Sequence, residues 1–223
     1  MFEARGKKLA DANHQARERA RAELVYGWDS SPISIRRISA EVWNQVKNED
    51  WAVANGGAVG GDIAGFQWNS TKYYQRTNSA SAAGVGFRAP TAVGAALAHK
   101  KHGRLFVYAQ ADGDLMYAPG VLWTAAHHRV PMLAVMYNNR AYHQEVMHIQ
   151  RMSARHNRGI NNAGIGTKLE DPNIDFKKIA EGMGLYAEGP ITNPNDLGPA
   201  IKRAIAEVKR GGPALLDVVT QPR

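Results

Sequence analysis

Cysteine is absent from all 223 residues. Its absence excludes disulfides, thiolate zinc sites, a cysteine nucleophile and protein-held iron–sulfur clusters. No run of ~18 or more apolar residues exists, so no membrane span is expected. The N-terminus lacks the apolar core of a secretion signal, which makes a soluble cytoplasmic protein the expectation. Acidic charge is in deficit: 28 Lys and Arg stand against 20 Asp and Glu, a formal net charge of +8. Two common nucleotide signatures are also missing. No Gly-x-Gly-x-x-Gly opens a helix after the first strand, and no Gly-Lys-Ser/Thr phosphate loop occurs. Nucleic-acid binding lacks support, because basic residues are not interleaved with aromatic ones and no known module is visible.

What is present suits one α/β domain and is too little for two. Six basic residues crowd the first 21: Arg5, Lys7, Lys8, Arg17, Arg19 and Arg21. A second group comprises Arg151, Arg155, His156 and Arg158. Each reads as solvated surface, or as a contact for an acidic partner or an anionic substrate.

Periodicity gives a coarse map. Residues 3–25 predict a polar helix with a weak apolar stripe, and 37–47 a second helix. Residues 51–54 read as a short buried strand running into Asn55-Gly56-Gly57. Stretches 55–61 and 79–86 read as tight loops. Pro90 opens a helix of small residues reaching about Lys100. Residues 105–109 suit a central strand. A helix is predicted over 116–128, with Pro119 in its first turn. Pro131 ends it, and 132–137 is the next strand. Residues 147–172 show no period and read as a long functional loop. A helix follows from Phe176. Another is capped by Asn193-Pro194, and 213–220 is a last buried strand. Such alternation predicts a three-layer α/β/α architecture around a mostly parallel sheet of roughly six strands. The expected division is an arm over 1–29 and one domain over 30–223.

The chemistry concentrates in the window from Asp112-Gly113-Asp114 to Asn138-Asn139. Asn139 lies 27 positions after Asp112, with a strand before each and a helix between. Ligands of open parallel sheets bind at the carboxyl ends of strands. Three loops meet that condition: 55–57, 111–114 and 138–142. Mg²⁺ takes six oxygens and often few from protein. Here Asp112 offers a carboxylate oxygen, Asn139 an amide oxygen and Ala141 a main-chain carbonyl. Two diphosphate oxygens and a water would complete the shell. Backbone amides at Gly56, Gly57, Gly113 and Asp114 would hold the diphosphate. A lone Asp-Gly is usually a turn; the combination with Asn-Asn at this interval is specific.

The window Ala111-Asp112-Gly113-Asp114 … Asn138-Asn139 resembles the thiamine-diphosphate-binding motif of the decarboxylase/acetolactate synthase superfamily. There the pattern is Gly-Asp-Gly followed by Asn-Asn at this interval. The resemblance spans roughly 30–223. Residues 32–50 resemble the family's entry helix, Gly84-Val85-Gly86-Phe87 with Pro90 its cofactor-bending loop, and 169–223 its closing helices and strand. Two positions depart: Ala111 stands for the first Gly, and Asp114 for Ser or Ala. Asp114 is expected to cap the helix over 116–128.

The resemblance implies a thiamine diphosphate cofactor with Mg²⁺, bound in the family's fold. It implies that Val85 supports the bent cofactor, although it is smaller than the usual residue, and that the Ala83 carbonyl accepts from the aminopyrimidine. Asn55 and Tyr142 join the cofactor-binding set. Glu145, Gln144 and His143 become candidate catalytic residues, with a bare helix start as the other reading. His127-His128 reads as a helix end rather than a metal pair, since adjacent helical residues point about 100° apart. The family's activating Glu sits on a pyrimidine-binding domain that this chain has no room for. The expectation is therefore the small subunit of a hetero-oligomer, a dimer of heterodimers or larger, with a large subunit supplying that domain. Its substrate would be a 2-oxo acid, an acyloin or an acyl thioester. Alternatives are a non-catalytic regulatory subunit of the same fold and an ordinary nucleotide-binding α/β protein.

Overall fold

In this computed structural model, residues 2–54, 68–77 and 84–222 are described. Among these residues six strands form one sheet: β1 (Trp51–Ala54), β2 (Arg76–Thr77), β3 (Leu105–Ala111), β4 (Leu133–Asn138), β5 (Tyr186–Ile191) and β6 (Ala214–Val219). Their order is β2-β1-β3-β4-β6-β5, and every pairing is parallel. Each position of β4 and β6 is buried. These two central strands are near-continuous apolar runs because both sheet faces are covered.

Eight helices accompany the sheet among the described residues: α1 (Phe2–Ala22), α2 (Ile35–Val46), α3 (Arg88–Lys100), α4 (Asp112–Leu115), α5 (Val121–His127), α6 (His143–Arg155), α7 (Phe176–Gly182) and α8 (Pro194–Lys209). The starts of α2 and α8 are chemically specified. The Ser34 hydroxyl accepts the Arg37 amide at 3.2 Å, and the Asn193 side chain accepts the Asn195 amide at 3.0 Å. Each satisfies a donor the helix itself cannot.

Side chains alternate along each strand, so the sheet divides the interior into two cores. On one face Leu105, Val107, Leu133, Val135, Leu216 and Val218 pack under Ile38, Val42 and Val46 of α2 and Leu197, Ile201 and Val208 of α8. On the other, Phe106, Tyr108, Ala134, Met136 and Leu215 meet Ala92 and Ala96 of α3, Leu122 and Ala125 of α5, and Phe176 and Ala180 of α7. The three-layer, parallel, six-stranded expectation holds. Neither core includes a residue before Ile33.

Three details differ from the sequence reading. The helix expected over 116–128 is only Val121–His127, preceded by the single turn Asp112–Leu115. Pro119 lacks an amide donor, and with Gly120 it separates the two pieces. The long loop expected over 147–172 is helical as far as Arg155. No side chain of α6 is buried and its mean hydropathy is low, so it lacks the apolar core face by which α2 and α8 are read. Finally, β5, a strand the periodicity does not name, contains Gly189-Pro190. It survives because β5 is an edge strand whose register to β6 shifts between Glu188 and Ile191, where proline is tolerated.

Helix α1 has no buried residue. Arg17 ties it to the body by donating to Asn69 Oδ1 at 2.7 Å. Arg37, 5% exposed, fastens the following segment. It donates to the Trp28 carbonyl at 2.8 Å and to Asp29 at 3.1 Å, and its guanidinium lies 4.6 Å from the Trp28 ring centroid.

Candidate functional site

Strand register builds the site. Ala111 of β3 pairs with Tyr137 of β4. The chain then leaves both strands at the same carboxyl edge, so Asp112 and Asn138-Asn139 emerge side by side. Thr220, just past β6, donates its amide to the Asn138 carbonyl at 2.9 Å.

A chain of side-chain bonds sets the Asn-Asn turn. Asn138 is buried and donates its amide to Asp217 Oδ1 at 2.9 Å. Its own oxygen accepts the Arg140 amide at 3.3 Å. The Asn139 oxygen accepts the Ala141 amide at 3.1 Å. Arg140 takes a left-handed φ of 58°, a conformation that costs a non-glycine residue and persists where its surroundings over-determine it. Bracing comes from 167–169: the Tyr142 amide donates to the Thr167 carbonyl and the Leu169 amide to the Arg140 carbonyl, both at 2.8 Å.

Asp112 is 2% exposed. One carboxylate oxygen accepts the Gly113 amide at 2.9 Å, while Oδ2 has no hydrogen-bond partner among the described residues. Burial pushes its pKa up to about 6, and backbone amides of Gly113, Arg140 and Ala141 pull it partly back. Asp217 is pushed to about 6 as well, first by burial; the Asn138 bond opposes that and the Asp112 charge adds to it.

Two sequence expectations need correction. The Gly113 amide is not free for a diphosphate, because the desolvated Asp112 carboxylate takes it. Nor does Asp114 cap a helix over 116–128. Its Oδ1 accepts the Gly86 amide at 2.8 Å and its Oδ2 the Gln110 amide at 3.1 Å. It thus links the β3 edge to the loop before α3, since a carboxylate buried this deeply takes the nearest donors available.

Glycine is required at two points of this framework. A Cβ on Gly113 would enter the ring of Tyr142. Gly86 has φ +90°, and a Cβ there would meet the Tyr117 side chain. The two tyrosine rings meet edge to face with centroids 6.1 Å apart.

Around these groups lies a cleft of about 160 Å³. It is lined by Asp112, Gly113, Asp114, Asn139, Ala141 and Tyr142. His143, Gln144 and Glu145 line it from the first turn of α6, and Val85 from the loop before α3. Val85 is 56% exposed. Asn55, Gly56, Gly57 and Ala83 lie outside the described residues. His127 and His128 end α5, with their rings at 84° to one another, and neither lines the cleft.

Sequence reasoning missed Ile35, Arg88, Tyr137 and Thr220, which also line it. The Thr220 hydroxyl is buried without a partner among the described residues. Its signal was positional: it follows a strand flanking β4. Arg88 could have been found two residues beyond Gly86, in the loop already singled out.

The donor set fits a hard divalent cation that takes further oxygens from a bound ligand. It comprises one carboxylate with an unpartnered buried oxygen, one amide oxygen and one main-chain carbonyl. Among the described residues no group of three or more His, Asp or Glu could cage a metal alone. No helix among them is long and apolar enough to cross a membrane.

Comparison with known proteins gives concordant results. The family model described as "Thiamine pyrophosphate enzyme, C-terminal TPP binding domain" matches residues 56–218. "Putative acetolactate synthase large subunit IlvX" of Mycobacterium tuberculosis is 36% identical over 135 residues, which are 60% of this chain and 25% of that protein. Benzoylformate decarboxylase of Pseudomonas aeruginosa is 33% identical over 141 residues, 63% of this chain and 24% of that one. The solved structure of a thiamine diphosphate-dependent 4-hydroxybenzoylformate decarboxylase from Rhodococcus jostii RHA1 superposes with a TM-score of 0.70 at 25% identity, covering 87% of this chain and 34% of that one. The chain thus spans about a quarter of the length of the curated relatives it matches.

Proposed function

The chain belongs to the thiamine pyrophosphate enzyme family, as its C-terminal TPP-binding domain, and from that premise we propose that it supplies the Mg²⁺–diphosphate half of an enzyme acting on a carbon–carbon bond beside a carbonyl. The reaction class is 2-oxo acid decarboxylation, carboligation or 2-hydroxyacyl cleavage. The observation that carries this reading is Asp112, a buried carboxylate with one unpartnered oxygen at the strand edge where Asn139 and Ala141 converge.

When bound, thiamine diphosphate supplies an electron sink for a carbanion formed next to a carbonyl. The chain's own residues hold, orient and shield. Asp112 Oδ2, the Asn139 side-chain oxygen and the Ala141 carbonyl would hold Mg²⁺, and the metal would anchor the diphosphate. The Asp217–Asn138 bond fixes the turn that presents Asn139. Tyr142 closes the space above Gly113. Val85 would support the bent cofactor from the loop before α3. Glu145, with Gln144 and His143 beside it, would hold or pass a proton at the reacting carbon.

The remaining parts of such an enzyme, including the pyrimidine-binding domain and its activating Glu, come in this reading from a large partner subunit. One observation supports that. Helix α1 is basic and buries no residue, which suits an acidic partner surface. The substrate is a 2-oxo acid, an acyloin or an acyl thioester.

Calorimetric titration with thiamine diphosphate tests the core of the proposal. Binding should require Mg²⁺ and should vanish in Asp112→Ala. Metal-independent binding, or binding that survives that substitution, would refute it. Turnover of a 2-oxo acid by the chain alone with cofactor would refute the divided enzyme.

A further inference from the structure

The charges lining the cleft do not balance for an anionic ligand. Asp112, Asp114 and Glu145 bring three carboxyl groups. A Mg²⁺ ion would be matched by Asp112 and Asp114 before any diphosphate charge is counted. Asp114 offers no relief, because its described hydrogen bonds come only from neutral donors, the Gly86 amide and the Gln110 side chain. A diphosphate carrying two or three negative charges therefore needs another cation.

Arg88 is that cation by position. It lines the same cleft and sits two residues beyond Gly86, whose amide is bonded to Asp114. It makes no hydrogen bond or ion pair with the other described residues, whereas Arg37, Arg104 and Arg203 are all paired. Its place in the helix is also electrostatically adverse. Arg88 is the first residue of α3, and no side chain caps that end. The amino end of a helix carries partial positive charge, so a cation there is disfavoured unless an anion lies nearby. An unpaired guanidinium that adds to the helix-end charge, in a cleft with surplus carboxylates, fits an anion arriving from outside the chain.

We propose that Arg88 binds the diphosphate of the cofactor and provides the charge compensation made necessary by Asp114. The inference rests on the Mg²⁺–diphosphate reading above. A guanidinium presents paired N–H donors that match phosphate oxygens. Binding should thus depend on the phosphate groups of the ligand and not on its ring system.

The test is titration of the full-length chain, in Mg²⁺, with thiamine diphosphate and with unphosphorylated thiamine, for wild type, Arg88→Gln and Arg88→Ser. Thermal melts check folding, and the serine variant decides if glutamine disturbs the fold. Arg88 is partly exposed, so both should melt close to wild type. The expected result is a loss of diphosphate affinity of roughly 10- to 100-fold, the range of a lost charge-assisted contact, with any thiamine affinity unmoved. Adding Asp114→Ser to Arg88→Gln should return part of the loss. A diphosphate Kd within twofold of wild type in both single variants overturns the role of Arg88 and leaves the metal–diphosphate reading standing. So does an equal loss for thiamine, or a loss seen only in the binding of a 2-oxo acid, which would place Arg88 on the substrate carboxylate. A wild-type chain that binds no diphosphate with Mg²⁺ overturns both.

Discussion

Asp217 shows how a single buried group ties stability to the site. Its carboxyl is 1% exposed on β6 and holds Asn138. Burial raises its pKa from 3.8 to about 6. The folded state therefore favours the protonated form. Its stabilising contribution is complete below pH 3.8 and is lost as pH rises through about 6. The difference corresponds to about 3 kcal/mol at full effect, at ~1.4 kcal/mol per pKa unit. Asp217→Asn keeps an acceptor for Asn138 and removes the penalty. Urea unfolding should find it more stable than wild type at pH 8 by about 1–3 kcal/mol, and no more stable at pH 4. Equal stability gaps at the two pH values would contradict the assignment. Gly113 makes a second case. Gly113→Ala should drive the Tyr142 ring from its place and abolish Mg²⁺-dependent cofactor binding while the fold survives. Pairing it with Tyr142→Ala should relieve the melting-temperature loss, and the same melts check that.

At the scale of elements, the edge strand β5 is held by an unusual backbone. Gly189 has φ +139°, and a Cβ there would lie 2.6 Å from the Asp217 carbonyl. No L side chain fits. Gly189→Ala should destabilise by roughly 2–4 kcal/mol, combining backbone strain with a clash against β6, and denaturant unfolding measures it. Helix α1 is the opposite case. Because none of its side chains is buried, deleting residues 2–22 should change the melting temperature of the remainder by no more than a few degrees, as surface changes usually do. If α1 is the docking arm, the same deletion should abolish capture of the proposed large subunit. Helix α6 stands between these extremes. Its first turn lines the cleft, yet it buries nothing, so the catalytic candidates Glu145, Gln144 and His143 ride on an element braced mainly through Tyr142 and Thr167.

For the whole molecule, the net charge of +8 bears on association rather than on the fold. If the proposed large subunit docks on α1 through acidic groups, its association rate should fall steeply between ~50 and ~500 mM salt, as the Debye length shrinks from about 14 to 4 Å. A salt-independent rate in stopped-flow mixing would argue for an apolar contact instead. The sheet was legible in the sequence because its central strands are apolar runs bounded by Gly, Pro and Asn. The candidate site was legible because Asp112 and Asn139 sit at the ends of two such runs. By itself, then, the sequence determined the layered parallel architecture and put Asp112 and Asn139 at the ends of two strands: local apolar periodicity and strand-end position depend only on nearby residues. Tertiary structure alone decided that Asp114 reaches Gly86 rather than a following helix, that β5 survives its Gly-Pro as an edge, and that Arg88 and Thr220 enter the cleft. Those outcomes depend on which distant segments the sheet order brings together, and on the shortage of hydrogen-bond partners in a buried place, neither of which a linear pattern contains.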